Sequence, residues 1–143
     1  MNLELRIVQT IDDLIRAHAV RAIVFCSGQH VPYALEHDTH DVSCMHILGT
    51  IAGEPAAAGR LRFVHEYAKL ERIAVRRRFR GKGFGHRLTD FMVATAGELG
   101  FLHCRLHAQA HLQDFYAGHG FHVVGRPFAE AGMPHVLMVR QAK

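Results

Sequence analysis

Between residues 70 and 88 the chain passes from a strand pattern, through a run of arginines and glycines, into a helix pattern. Leu70, Ile73 and Val75 mark the strand. The run is Arg76-Arg77-Arg78-Phe79-Arg80-Gly81-Lys82-Gly83-Phe84-Gly85-His86. Leu88, Phe91, Met92, Thr95, Ala96 and Leu99 then recur at the spacing of one helix face, and Gly100 is placed to stop that helix. Glycines in such a turn leave backbone N–H groups uncovered and permit positive φ. The first helical N–H groups have no intrahelical partner and carry the positive end of the dipole. The arrangement suits a phosphate.

The glycine spacing narrows the ligand. A dinucleotide fingerprint needs G-x-G-x-x-G, but His86 stands where its third glycine would be. The four-residue gap and Lys-Ser/Thr pair of a mononucleotide loop are absent. What remains is Arg80-Gly81-Lys82-Gly83-Phe84-Gly85, of the form R-x-x-G-x-G.

Strand and helix signals alternate around this segment. Leu3, Leu5 and Ile7 give a strand over 3–9; Thr10 or Asp12 then caps a helix carrying Leu14, Ile15, Val20, Ile23 and Val24. Residues 28–43 have no clear period and read as a loop or short helix. Met45 to Ile51 and Ala58 to Val64 read as a hairpin turning at Gly53-Glu54-Pro55. Phe101 to Ala108 is a strand with Leu102, Cys104 and Leu106 on one face, and a short helix over 112–117 ends at Gly118 and Gly120. Phe121 to Val124 and Val136 to Val139 are the last strands, joined through Ala131-Gly132-Met133-Pro134. The order is that of a mixed α/β domain.

Composition excludes several classes. With 49% hydrophobic and 21% charged residues the chain is globular, not disordered. No stretch approaches the roughly 18 apolar residues of a membrane helix. The start, Met1-Asn2-Leu3-Glu4-Leu5-Arg6, lacks a basic and an apolar signal region, which points to a cytoplasmic protein with no membrane partner. Cys26, Cys44 and Cys104 form no C-x-x-C pair and read as small buried hydrophobes. The net charge of +4 suits an anionic ligand without choosing one.

The R-x-x-G-x-G run resembles the pyrophosphate-binding motif of the GNAT superfamily of N-acetyltransferases, which hold acetyl-coenzyme A. Ala108-Gln109-Ala110-His111-Leu112-Gln113-Asp114-Phe115-Tyr116-Ala117-Gly118-His119-Gly120-Phe121 is similar to the family's later motif, a strand leading to a short helix and Phe/Leu-Tyr-x-x-x-Gly-Phe. Arg21 to Phe25, Gln29 to Tyr33, Glu36-His37-Asp38 and His46 to Gly49 resemble the start of the ElaA-like branch, and Gly132 to Met138 its end. Gly28 departs from the pattern, since the branch commonly has Glu there. The resemblance covers nearly the whole chain.

It implies one N-acetyltransferase domain over 1–143: a mixed, mostly antiparallel sheet flanked by helices, with splayed central strands. It implies acetyl-CoA as cosubstrate and direct transfer to a primary amine of a small molecule or protein. Ile73, Ala74 and Val75 would run beside the pantetheine. Arg80, Gly81, Lys82, Gly83, Phe84, Gly85 and His86 would meet the diphosphate, with Gln109 and Phe115 contributed by the later motif. Tyr116 occupies the position of the family's usual general acid. A tyrosine near pKa 10 protonating a thiolate near 8.5 works uphill by about 1.5 units, roughly 2 kcal/mol, which is tolerable.

The base is less determined. Glu71, two residues before Ile73 and so on the same strand face, is the leading candidate; His107, His111 or water alone are the others. Glu36, Asp38 and Asp41 suit a cationic acceptor or are simply solvated loop charges. No metal is expected. The pairs His37/His40, His103/His107 and His107/His111 belong to no ligand framework, and a four-residue gap on a strand spans about 13 Å. Cys104 and Cys26 read as packing residues rather than acyl carriers. Two rival functions share the sequence. One is nucleic-acid binding through Arg76, Arg77, Arg78, Arg80, Lys82 and Arg87, although no recognition motif accompanies them. The other is a CoA-binding regulatory domain without catalysis. The terminal strands offer an edge for pairing into a homodimer.

Overall fold

A computed structural model describes residues 1–141. One sheet of seven strands runs through it in the order β1-β2-β3-β4-β5-β7-β6. The strands are β1 (Leu3–Ile7), β2 (Met45–Ile51), β3 (Glu54–Val64), β4 (Tyr67–Val75), β5 (His103–Gln109), β6 (His122–Glu130) and β7 (Met133–Gln141). All neighbours are antiparallel except β4 and β5. The helices are α1 (Ile11–Arg21), α2 (Tyr33–Glu36), α3 (Phe84–Glu98) and α4 (Gln113–Ala117). This is the mixed, mostly antiparallel sheet that the sequence led us to expect.

Thr10 caps α1, its hydroxyl accepting from the Asp13 N–H at 3.1 Å. Replacing it with Ala is expected to cost about 1 kcal/mol and a few degrees of melting temperature. An unchanged thermal transition would show that the cap contributes nothing. The helix stops at Arg21 and passes into a π-helical stretch over Ala22–Gly28, in which Val24 is buried and Ile23 faces water; Ile15, within α1, is exposed as well. Residues 28–43 contain α2 and a 3-10 turn closed by Asp38 and Asp41 in a capping box.

Several boundaries move for identifiable reasons. The β2–β3 turn is Ala52-Gly53, both at positive φ, so Glu54 and Pro55 already belong to β3. Ala131-Gly132 make the same kind of turn between β6 and β7. β6 extends to Glu130 because a register break between Val124 and Phe128, at Gly125 and Pro127, interrupts the pairing without ending the strand. β5 begins at His103, which leaves Leu102 exposed rather than in line with Cys104 and Leu106.

The consequential irregularity lies in β4. Leu70 faces Leu61 and Glu71 faces Arg60, but Ala74 faces Ala58, so the register shifts across Gly59. Arg72, at φ +53, is the extra residue of this bulge. Leu70 packs in the core with Leu88 and Met92 of α3, whereas Ala74 packs with Ala17 and Val20 of α1. Ile73 and Val75 lie on the α3 side. Glu71, paired with Arg60, therefore lies on the opposite face from Ile73, which corrects the strand-parity expectation. β4 and β5 pair only over Tyr67–Leu70 and His103–Leu106. Beyond that point they diverge into a fork, the splay implied by the resemblance.

Candidate functional site

Two adjoining cavities, of about 390 and 430 Å³, meet at the fork. The smaller is lined by Ile73, Ala74, Val75, Arg80, Gly81, Gly83, Phe84, Gly85, His86, Gln109 and Phe115. Of the residues expected to hold the cosubstrate, only Lys82 lies off its wall.

The glycines of the turn do different jobs. Gly81 and Gly83 have φ of +79 and +80, and Gly83 caps α3. Gly85 is in the first helical turn, where an added Cβ would come within 3.3 Å of the Phe115 ring. The first helical bond of α3 runs from the Arg87 N–H to the Gly83 carbonyl at 3.2 Å. Among the described residues, no backbone acceptor takes the N–H groups of 81–86. The turn thus presents unpaired donors to the cavity, as an anion requires. His86 stacks on Phe115, with ring centroids 4.4 Å apart, and bonds His119, which in turn contacts Asp90 at 2.7 Å.

The basic run is partly tied down. Arg76 and Arg78 pair with Glu54 and lie against the Phe79 ring. Arg80 donates to the Val75 carbonyl and Arg87 to that of Leu3. These bonds tether Arg76, Arg78, Arg80 and Arg87 to the fold, although Arg77, Arg78, Arg80, Lys82 and Arg87 all remain exposed.

The larger cavity is walled by an ion network. Arg21 and Arg60 are 0% and 1% exposed. Arg21 binds Glu36 and Asp41, both at 2.7 Å. Arg60 binds Asp38 at 2.8 Å, Asp41 at 2.9 Å and Glu71 at 2.8 Å. Arg62 and Lys69 also reach Glu71, at 2.9 and 3.0 Å. Glu36 and Asp41 are therefore withdrawn from solvent, and Asp38, though 36% exposed, is paired with Arg60; guanidinium groups neutralise all three. Burial alone would raise the Asp38, Asp41 and Glu71 carboxyls, but the cations outweigh it and hold all three below their usual range. For Glu71 this weakens the very basicity that a proton acceptor needs.

Tyr116 lines both cavities, as do Phe25, Gln29, Ile73, Gln109 and Leu112. Its ring is 6% exposed and meets Phe115 edge-on. Burial pushes its phenol well above the ordinary value. Gln109 donates to Gln29 at 2.9 Å, spanning the junction of the two cavities. His111 lines the smaller cavity and His107 the larger. The His107 Nδ1 lies 2.9 Å from Glu130. Glu130 had no sequence signal, because only the β6–β7 hairpin brings it beside β5.

Among the described residues, His18, Asp41 and His46 place ligand atoms within 4.8 Å of one another. Both Asp41 oxygens, however, already accept from Arg21, Arg60 and the Asp38 N–H. That donor set does not fit a cation. Burial raises the Cys104 thiol and pushes that of Cys44 up to about 11, so neither is a ready thiolate. Cys104 is buried as expected; Cys26 and Cys44 are only half-buried.

Solved structures share this forked α/β architecture. Escherichia coli ElaA is 29% identical with a TM-score of 0.89, over 98% of this chain and 100% of its own. An acyl-CoA N-acyltransferase from Pseudomonas aeruginosa is 28% identical with a TM-score of 0.89, over 97% and 99%. The family model described as Acetyltransferase (GNAT) domain matches residues 15–142, and the chain belongs to that family. An uncharacterized Bacillus subtilis relative, YyaT, is 35% identical over 137 residues, covering 94% of this chain and 93% of its own. No helix among the described residues is long and apolar enough to cross a membrane.

Proposed function

We propose that the chain moves acetyl from acetyl-CoA directly to a primary amine, carried by a small molecule or a protein. The observation that carries this reading is the position of Tyr116, shared by a cavity with an anion-binding turn and a cavity with a polar wall. Membership in the acetyltransferase family and likeness to the Pseudomonas aeruginosa acyl-CoA N-acyltransferase support it.

The unpaired N–H groups of 81–86 would hold the diphosphate. Past Leu70, the edge of β4 facing the fork has no β5 partner, leaving backbone groups of 73–75 for the pantetheine amides. An N–H there can stabilise the negative charge that develops on the thioester oxygen. Tyr116 would hand its proton to the departing thiolate; burial that makes the phenol a weaker acid also makes a desolvated thiolate a stronger base. Glu71 lies on the acceptor side, its charge shared among Arg60, Arg62 and Lys69. Overall, an ammonium and a thioester become an amide, a thiol and one released proton.

Thiol release from acetyl-CoA with a panel of primary amines tests the reading. We expect release that depends on an amine, together with an acceptor heavier by one acetyl group. Coenzyme A binding without release from any amine would favour the non-catalytic alternative. Gly83→Val, which forces a branched residue into positive φ, is expected to weaken coenzyme A binding by about tenfold or more. An unchanged affinity would remove the turn from the site.

A further inference from the structure

The larger cavity holds a histidine–carboxylate pair to which the family likeness assigns no role. His107, near the end of β5, and Glu130, at the end of β6, both face it. They meet because β7 pairs with both strands: Leu137 lies opposite His107, and Met133 opposite Glu130. Glu130 Oε1 is 2.9 Å from His107 Nδ1, while its other oxygen is 3.6 Å from His135 Nε2, outside bonding distance. His135 is turned by its own contact from Nδ1 to the Met133 carbonyl at 2.9 Å. The Phe128 ring meets the His107 ring edge-on at 4.9 Å.

An ionised carboxylate only accepts hydrogen bonds. Glu130 is ionised at neutral pH, since the bond from His107 holds its carboxyl below the usual range. The neutral His107 ring therefore carries its proton on Nδ1 and keeps its lone pair on Nε2. A base oriented by a carboxylate is the arrangement proton abstraction needs. Glu71, on the opposite wall, is instead surrounded by Arg60, Arg62 and Lys69.

We propose that His107, rather than Glu71, takes the proton of the acceptor ammonium, and that Glu130 is its positioning residue. The proposal rests on the acetyl-transfer reading above. One N–H bond of the ammonium breaks as a new one forms on His107 Nε2. The freed lone pair makes the C–N bond to the thioester carbon, and the C–S bond breaks with its electron pair on sulfur. Sulfur takes the Tyr116 proton, the second amine proton restores the phenol, and the imidazolium returns its own to water. The ionisable groups that line the same cavity as His107 are Glu130 on β6, His135 on β7, Arg60 and Arg62 on β3, Lys69, Glu71 and Arg72 on β4, Tyr116 on α4, Glu36 on α2, and Asp38 and His40 between α2 and β2.

Two measurements test this. The first is the wild-type chain's histidine nitrogen spectrum, which needs no acceptor. We expect neutral His107 as the Nδ1–H tautomer, moving toward Nε2–H in Glu130→Gln; an Nε2–H tautomer in the wild type overturns the proposal. The second is thiol release from acetyl-CoA with the amine panel of amino acids, polyamines and amino sugars. His107→Gln should lower kcat by about tenfold or more, leave the KM for acetyl-CoA within about twofold, and erase the acid limb of the pH profile. Imidazole should partly restore His107→Ala. An acid limb retained in His107→Gln but lost in Glu71→Gln overturns the proposal and returns the role to Glu71. A wild-type chain that binds no coenzyme A and releases no thiol instead overturns the acetyl-transfer reading, and this proposal with it.

Discussion

Tyr116→Phe is expected to lower the turnover of acetyl transfer roughly 100-fold, at the lower end of what a positioned acid contributes, while coenzyme A affinity stays within about twofold. The substitution removes one oxygen from a ring that is 6% exposed and already held edge-on by Phe115, so packing should survive. The hydroxyl's value lies in its place. It borders the cavity that would receive the thioester and the cavity that would receive the amine. A phenol raised by burial gives up its proton only to a sulfur anion equally deprived of water, so its effect should fall on kcat. Steady-state kinetics with calorimetry separate the two quantities. Unaltered kcat would assign the tyrosine to packing alone.

Arg60→Ala should have the largest effect on stability. Its guanidinium is 1% exposed and joins Asp38, Asp41 and Glu71, so its removal strands negative charge at the wall of the larger cavity. Breaking a buried pair in this way costs about 3–5 kcal/mol, or on the order of 10 °C in melting temperature. The pH dependence has a definite sign. These carboxyls are held below their ordinary values of 3.8 and 4.5, so folding releases protons. Their contribution is therefore complete above those values and is lost as pH falls through the lowered folded ones. Arg60 stays charged throughout. The gap between wild type and variant should be widest near neutral pH and narrow below about pH 4. Thermal melts at both pH values check this; a gap that widens in acid would contradict it.

The fold was legible where local chemistry and tertiary demand agree. Thr10 before α1, the face of α3 from Leu88 to Ala96 and the glycines at 81 and 83 each read correctly because their roles are local. Leu99, expected on that face, lies past the helix end and is 52% exposed. Glu71 shows where such reading stops. Strand parity put it beside Ile73, but one bulge residue, Arg72, reverses the alternation, and nothing in its side chain announces positive φ. The acidic loop misled in a similar way. Glu36 and Asp41 look like solvated charge until β3 and α1 bring Arg60 and Arg21 to them. Glu130 was invisible as a partner of His107, because they lie 23 positions apart with α4 and most of β6 between them. Motifs confined to one turn survive without tertiary information, and pairings across the sheet do not.

Titration calorimetry with coenzyme A tests the central claim most directly. We predict saturable binding that weakens in Gly83→Val and persists in Tyr116→Phe, since one residue shapes the turn that would hold the diphosphate and the other would border the sulfur. A wild-type chain giving no saturable heat, or Gly83→Val binding as tightly as the wild type, would contradict it.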